Sequence, residues 1–153
     1  MQTVERVIIN ASPAAIWQVL ADVERWPTWT PTVLEVEPLT SNGAKNGLKV
    51  GARYRVIQPK LRPAVYEVTE CAPHQAFTWI QKAPGATLIA EHRLTASDHS
   101  GTEVELSFAT EGLFGAILGG MYSKTIADYV RTEARSLKNH CETLARQGKL
   151  YRW

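Results

Sequence analysis

The chain has 153 residues, with 17 Lys+Arg against 15 Asp+Glu and a formal net charge of +2. This length suits one domain, and the content of 44% hydrophobic and 21% charged residues excludes a disordered chain. Two distant cysteines, Cys71 and Cys141, exclude a disulfide scaffold, and the longest nearly apolar run, Gly112–Met121, is about half of the ~20 residues that a membrane span needs.

Charge is unevenly divided along the chain. Residues 1–111 hold 10 basic and 12 acidic side chains, whereas residues 112–153 hold 7 basic and 3 acidic ones. A nucleic-acid interface would need a denser basic stripe with interleaved aromatic residues. The C-terminal basic residues are interrupted by Asp128, Glu133 and Glu142. We therefore predict a solvated helix face there and no nucleic-acid partner.

The first elements are a strand and a short helix. Thr3–Ala11 is rich in β-branched residues and predicts a strand. Ser12 and Pro13 form a helix start, because the serine can cap the first amides and proline is favoured at the first helical position. Apolar residues then recur at helical spacing, which predicts a helix ending near Arg25. The prolines that follow leave room for one short second helical turn before Pro31.

Strand patterns then follow without interruption. Each of six segments is rich in β-branched or aromatic residues, and turn-forming residues such as Ser41–Gly43 and the loop containing His99 separate them. An unbroken series of strands predicts a mainly antiparallel sheet. The predicted strands are Leu34–Leu39, Ala52–Gln58, Ala64–Glu70, Ala76–Gln81, Thr87–Thr95 and Thr102–Thr110.

The last part of the chain predicts one long helix. Helical periodicity runs from about Leu113 to Ala145, interrupted only by Gly119 and Gly120, which can bend the helix or let another backbone approach. We therefore expect a single domain over residues 1–147 and a tail over residues 148–153.

Several short sequence features in this order resemble one known group of proteins. They are Ser12-Pro13, Ile16-Trp17, Leu20–Trp26, Trp29, Pro31, Gly51–Tyr54, Phe77–Trp79, His92–Leu94, Gly101–Val104 and Leu137–Glu142. The chain resembles the START-related SRPBCC superfamily, and within it the branch of polyketide cyclase/dehydrase and lipid-transport proteins. The resemblance implies an α+β helix-grip fold, in which a curved, mainly antiparallel seven-stranded sheet wraps around a long C-terminal helix. The resemblance also implies two short helices between strands 1 and 2 and a cavity between the sheet and the long helix.

Strand alternation predicts which side chains face that cavity. The inward set is mostly apolar and aromatic, with few polar members, which is typical of a site for a hydrophobic or aromatic ligand. The same composition also describes a filled core, and only the resemblance favours a cavity. From the strands the predicted pocket residues are Tyr54, Tyr66, Trp79, Gln81, His92 and Phe108. The resemblance implies that Trp29 lies near the cavity mouth, and we expect Met121 and Tyr122 to close the cavity from the long helix.

The predicted function is the binding, and possible transport, of a small hydrophobic molecule such as a lipid, a quinone or a polyketide-like compound. One alternative is a polyketide aromatase/cyclase or dehydratase in which His92 or Tyr66 transfers a proton. Another is a protein-interaction module without a true cavity. No nucleotide-binding, hydrolase or metalloprotease motif occurs, so we expect no cofactor and no metal. The N-terminus lacks the pattern of a signal peptide, which favours the cytoplasm.

Overall fold

The computed structural model describes residues 1–39, 47–97 and 101–150. The predicted turn at Ser41–Gly43, His99 and the last three residues of the predicted tail lie outside these ranges. The helices are α1 (Pro13–Ala21), a 3₁₀ helix (Val23–Thr28) and α2 (Leu113–Arg146). The strands are β1 (Gln2–Ile9), β2 (Glu35–Pro38), β3 (Arg53–Ile57), β4 (Ala64–Ala72), β5 (Ala76–Ala83), β6 (Ala86–Ala96) and β7 (Thr102–Glu111).

The seven strands form one sheet in the order β1-β7-β6-β5-β4-β3-β2, and every neighbouring pair is antiparallel. Strands β2 to β7 follow one another as a meander, and β1 adds to the free edge of β7. The long helix α2 packs against β1, β7 and β6. This is the helix-grip architecture expected from the sequence, and the predicted fold class is confirmed.

The first helix is shorter than predicted. It starts as expected, with the Ser12 hydroxyl accepting a hydrogen bond from the Ala15 amide at 3.0 Å, but it ends at Ala21 rather than near Arg25. Asp22 leaves the helical region with φ −85° and ψ 67°. The chain then continues as the 3₁₀ helix, which includes Pro27. The predicted second helical turn therefore starts earlier than the proline spacing indicated.

An irregularity in β4 changes which residues face outward. The pairing with β5 shifts register between Val68 and Glu70. Such a bulge places an extra residue on one strand and bends the sheet. Val68 and Cys71 lie opposite Trp79 and Phe77 on the inner face. Glu70, which simple alternation would point inward, is exposed.

The start of α2 lies close to β7 and the N-terminus. A Cβ atom added at Gly119 would lie 2.5 Å from Met1 Cβ and 2.8 Å from Thr110 Oγ1. At Gly120 it would meet nothing within 4 Å. The predicted close approach thus depends on Gly119 alone, and α2 is one continuous helix through both glycines.

Candidate functional site

A cavity of about 950 Å³ lies between the inner face of the sheet and α2. Its floor comes from rows of directly opposed residues, which share a face because antiparallel partners point to the same side. Ala90 lies between Trp79 and Phe108, and Leu88 lies between Gln81 and Thr110. The roof consists of α2 side chains, including Leu118, Tyr122 and Ile126. The small side chain of Ala90 leaves space between its two aromatic neighbours.

One end of the concave face is filled rather than open. Trp26 is 2% exposed, and its ring centroid lies 5.3 Å from that of Trp79 and 6.3 Å from that of Phe77. Its indole Nε1 donates a hydrogen bond to the Leu20 carbonyl at 3.0 Å. Trp26 therefore anchors the 3₁₀ helix on the sheet, and it also borders the cavity.

The β3–β4 loop forms part of the cavity rim. Lys60, Leu61, Arg62 and Pro63 line the cavity, and Lys60 and Arg62 are exposed. The Tyr129 hydroxyl of α2 donates a hydrogen bond to the Pro59 carbonyl. This bond fixes the loop against the helix and places two positive charges at the rim.

His92 supplies a polar group to the cavity wall. It lies on β6, is 3% exposed and stacks on Phe77 with ring centroids 4.0 Å apart. Its Nδ1 lies 3.2 Å from the Phe77 carbonyl oxygen. Burial lowers the pKa of His92 to about 4, although the bond to the Phe77 carbonyl acts in the opposite direction. His92 is therefore neutral at physiological pH.

Glu133 of α2 faces His92 across the cavity. Glu133 Oε1 lies 3.8 Å from His92 Nε2, and its side chain is 14% exposed. Burial raises the pKa of Glu133 to about 7. Near neutral pH this carboxyl group is therefore protonated in a large fraction of the molecules, and there it can act as a hydrogen-bond donor.

Tyr66 completes the polar part of the wall. Its ring stacks on Trp79 with centroids 5.0 Å apart. Burial raises the pKa of the Tyr66 hydroxyl, and the nearby charge of Glu133 adds to the effect. Three titratable groups from β4, β6 and α2 thus converge on one cavity, and all three can be neutral near pH 7.

The structure brings together six of the residues predicted for the pocket. The cavity-lining members of the predicted set are Tyr66, Trp79, Gln81, His92, Phe108 and Tyr122. Whether they contact a ligand stays a prediction. The five strand residues share the sheet side of the cavity, as strand alternation indicated, and Tyr122 faces them from α2.

Three predicted residues do not line the cavity. Trp29 is 9% exposed and packs between Trp26 and His140, whose ring stacks on it at 6.3 Å. Tyr54 is 3% exposed and lies on the inner face, but its ring packs beside Trp79 in the filled region. Met121 is 71% exposed, because it lies on the outer side of α2. The expectation that Met121 closes the cavity from the helix is wrong.

Glu133 was assigned to a solvated helix face, and that assignment is also wrong. A helical signal could have placed it inward, because Glu133 lies three residues after Val130 and four before Leu137. These two residues belong to an apolar stripe along the helix that also includes Ala134, Cys141 and Leu144. The usual exposure of glutamate pointed the other way. The buried carboxyl group is the feature that sequence reasoning missed.

Within residues 1–39, 47–97 and 101–150, no group of three or more His, Cys, Asp or Glu side chains is placed to hold a metal ion. Across the same ranges, no helix combines the length and the apolar character needed to cross a bilayer.

Comparison with known families gives one match over nearly the whole chain. Residues 1–142 match the family described as "Polyketide cyclase / dehydrase and lipid transport". No curated protein matches this chain.

Solved structures with the same fold cover almost all of the chain at low identity. Hypothetical protein jhp0584 from Helicobacter pylori has a TM-score of 0.78 at 13% identity, over 92% of this chain and 88% of that one. The Zhui aromatase/cyclase from Streptomyces sp. R1128 has a TM-score of 0.68 at 17% identity, over 97% of each chain. Ara h 8.0201 has a TM-score of 0.71 at 12% identity, over 94% of this chain and 98% of that one. At these identities the likeness concerns the fold.

Proposed function

Because the chain belongs to the polyketide cyclase/dehydrase and lipid-transport family, we propose that it binds a small hydrophobic or aromatic molecule in the cavity between the sheet and α2. The observation that carries the proposal is the cavity of about 950 Å³ with walls built from Trp79, Phe108 and Leu88. Ligand sites for small molecules have volumes of roughly 300–1,000 Å³, with mostly apolar walls and a few polar groups. A lipid, a quinone or a polyketide-like compound fits this description.

The binding proposal is tested by filling the cavity. Ala90 points into it between Trp79 and Phe108, whereas its neighbour Ile89 lies on the opposite face of β6. We expect Ala90→Phe to weaken binding of a hydrophobic fluorescent probe at least about tenfold, since the new ring occupies the ligand's space. Ile89→Phe adds an aromatic ring to the same strand and should leave the affinity unchanged.

Purified protein offers a second readout. Native mass spectrometry with solvent extraction of freshly purified protein should show a hydrophobic compound that is absent from Ala90→Phe. Failure to find such a compound, together with no saturable probe binding, would contradict the proposal. It would favour a protein-interaction role instead.

A second candidate is acid–base catalysis on a flexible oxo chain, and the convergence of His92, Glu133 and Tyr66 favours it. In an aldol closure, a base removes a proton from the carbon beside one carbonyl, and that carbon bonds to a second carbonyl carbon. The resulting alkoxide then takes up a proton. The neutral imidazole of His92 can serve as the base, and protonated Glu133 or Tyr66 can supply the proton.

The two candidates differ in what the polar groups must do. Catalysis requires His92 as the base and Glu133 or Tyr66 as the proton donor, whereas binding requires only the space and the apolar walls of the cavity. Cyclisation of a poly-β-ketone thioester that persists at the same rate in both His92→Ala and the double variant Tyr66→Phe/Glu133→Leu would exclude the proposed acid–base roles. Saturable binding without turnover would support the binding function alone.

A further inference from the structure

The gap between His92 and Glu133 has a defined hydrogen-bonding character. A carbonyl oxygen can only accept, so the proton of neutral His92 resides on Nδ1, which lies 3.2 Å from the Phe77 carbonyl. His92 Nε2 therefore presents a lone pair to the cavity. Glu133 Oε1 lies opposite it at 3.8 Å, and the two side chains are 4% and 14% exposed. One side of the gap is thus a fixed acceptor.

The other side of the gap is a donor when Glu133 is protonated. Two acceptors facing each other away from water are unfavourable, and burial raises the pKa of this carboxyl group to about 7. A distance of 3.8 Å is too long for a direct hydrogen bond. One oxygen atom about 2.8 Å from each partner can bridge them from the side, off the line that joins Glu133 Oε1 and His92 Nε2.

We infer that this gap binds the hydroxyl group of a neutral, mainly apolar ligand, which accepts a hydrogen bond from Glu133 and donates one to His92 Nε2. The inference rests on the proposed binding function and adds the chemical class of the ligand: a phenol, an enol or an alcohol. A hydroxyl group can donate and accept through one oxygen, whereas a ketone or a carboxylate can only accept. Neither of these can satisfy Nε2.

Charged ligands fit the surroundings of the gap less well. The titratable groups that face Glu133 are His92 from β6 and Tyr66 from β4, and Glu91 and Tyr129 line the same cavity. A cation would have to pass Lys60 and Arg62 at the rim and lose its hydration in the aromatic cavity. An anion would lose its hydration there and meet the lone pair of His92.

The inference is tested with four probes that share one aromatic body: naphthalene, 2-naphthol, 2-naphthoate and 2-naphthylmethylammonium. At pH 6 we expect 2-naphthol to bind the wild-type protein about tenfold more tightly than naphthalene. Glu133→Leu should reduce that ratio to within about twofold while naphthalene still binds, which shows that the variant is folded. Asp128→Leu, on the exposed side of the same helix, should keep the wild-type ratio.

The pH dependence gives a readout that needs no destabilising variant. The wild-type ratio should fall between pH 6 and pH 8, because Glu133 loses the donating proton as the pH rises through about 7. Glu133→Gln keeps a donor that does not titrate, so its ratio should stay constant over this range.

Three results would overturn the inference. They are tighter binding of the carboxylate or ammonium probe than of 2-naphthol, an unchanged ratio in Glu133→Leu, and equal binding of 2-naphthol and naphthalene to the wild type. Each of these leaves the proposed binding function intact. If none of the four probes binds saturably, both proposals fail together.

Discussion

Glu133 is a carboxyl group that the fold keeps largely away from water. The described residues give it no cationic partner, and the group facing it is the neutral His92. Burying the protonated form therefore costs less free energy than burying the charged form, which is why the pKa is raised to about 7. A buried group that resists ionisation makes the stability of the whole chain depend on pH.

The first prediction concerns Glu133→Gln. A raised folded-state pKa gives stability that is present below the unfolded pKa and is lost as the pH rises through about 7. Wild type and variant should be similarly stable near pH 4. At pH 8 the variant should be more stable by about 2 to 3 kcal/mol, because glutamine needs no charge to be buried. Urea unfolding at both pH values measures the difference.

The pH dependence of wild-type stability alone would not reveal the contribution of Glu133, because His92 titrates in an overlapping range. Burial lowers the pKa of His92 to about 4, so the stability that neutral His92 contributes is lost as the pH falls. Between about pH 4.5 and 6.5, this loss opposes the gain in stability that Glu133 gives as the pH falls. The difference in free energy of unfolding between the wild type and Glu133→Gln cancels the contribution of His92, which is present in both proteins.

Glu142 on the same helix provides the control for this prediction. Burial acts to raise its pKa, but the Asn10 amide and Lys138, each 2.9 Å from Oε2, lower the pKa overall. Glu142→Gln should therefore destabilise the protein at pH 8, by about 1 kcal/mol. Equal effects of the two substitutions would contradict the assignment of Glu133 to the cavity.

At the scale of elements, local signals predicted most of the fold. The six strands from β2 to β7 and α2 were found because a period of two and a period of 3.6 are readable within each segment. The end of α1 was not predicted, because the helix ends where the backbone of Asp22 takes φ −85° and ψ 67°. No proline or glycine marks that position in the sequence. The bulge after Val68 was missed for a similar reason, since it is set by pairing with another strand.

The candidate site was predictable only in part. Alternation placed Trp79, His92 and Phe108 on one face, because side-chain direction along a strand is a local property. The cavity itself depends on how far α2 lies from Ala90, a distance that no short segment encodes. Glu133 was missed because its usual exposure outweighed its position in the helical stripe.

The prediction at the scale of elements uses the adjacent glycines of α2. Gly120→Ala should stabilise the protein by about 0.5 to 1 kcal/mol, since alanine is the better helix former and its Cβ meets nothing within 4 Å. Gly119→Ala should destabilise it by about 1 to 2 kcal/mol despite the same propensity gain. Its Cβ would lie 2.5 Å from Met1 Cβ and 2.8 Å from Thr110 Oγ1.

Chemical unfolding of the two variants beside the wild type measures both effects. The pair controls for helix propensity, which is the same at both positions, so the difference reports the contact between α2, β7 and the N-terminus. Similar stabilisation by both substitutions would show that α2 does not approach β7 as closely as described.

At the scale of the whole molecule, packing is uneven from one end to the other. The aromatic cluster around Trp26 and Phe77 fills one end of the concave face, whereas the cavity occupies the other. The long helix crosses both regions. In its first ten residues only Gly115 and Gly119 are buried, whereas Ile126, Ala134, Leu137 and Cys141 are buried further along. One helix is thus anchored firmly at only one end.

The exposed side chains show the same imbalance. Leu113, Phe114, Ile117 and Met121 are 79%, 55%, 52% and 71% exposed, so the apolar residues of the first turns contribute little burial to the fold. Backbone hydrogen bonds hold the helix throughout, but these alone leave a helical segment only marginally stable in water.

The last prediction is that amide hydrogen exchange divides α2 into two parts. Amides of residues 117–124 should exchange at least about tenfold faster than those of residues 127–141, because opening the first part exposes less apolar surface. A ligand in the cavity should slow exchange in the first part selectively, since Leu118 and Tyr122 line the cavity. The amides of residues 117–124 and those of residues 127–141 all lie within α2 and make helical hydrogen bonds. A difference in exchange rate between the two sets therefore reports tertiary packing. Uniform protection along α2, or equal slowing of both parts by the ligand, would mean that the cavity roof is as firmly packed as the rest of the helix.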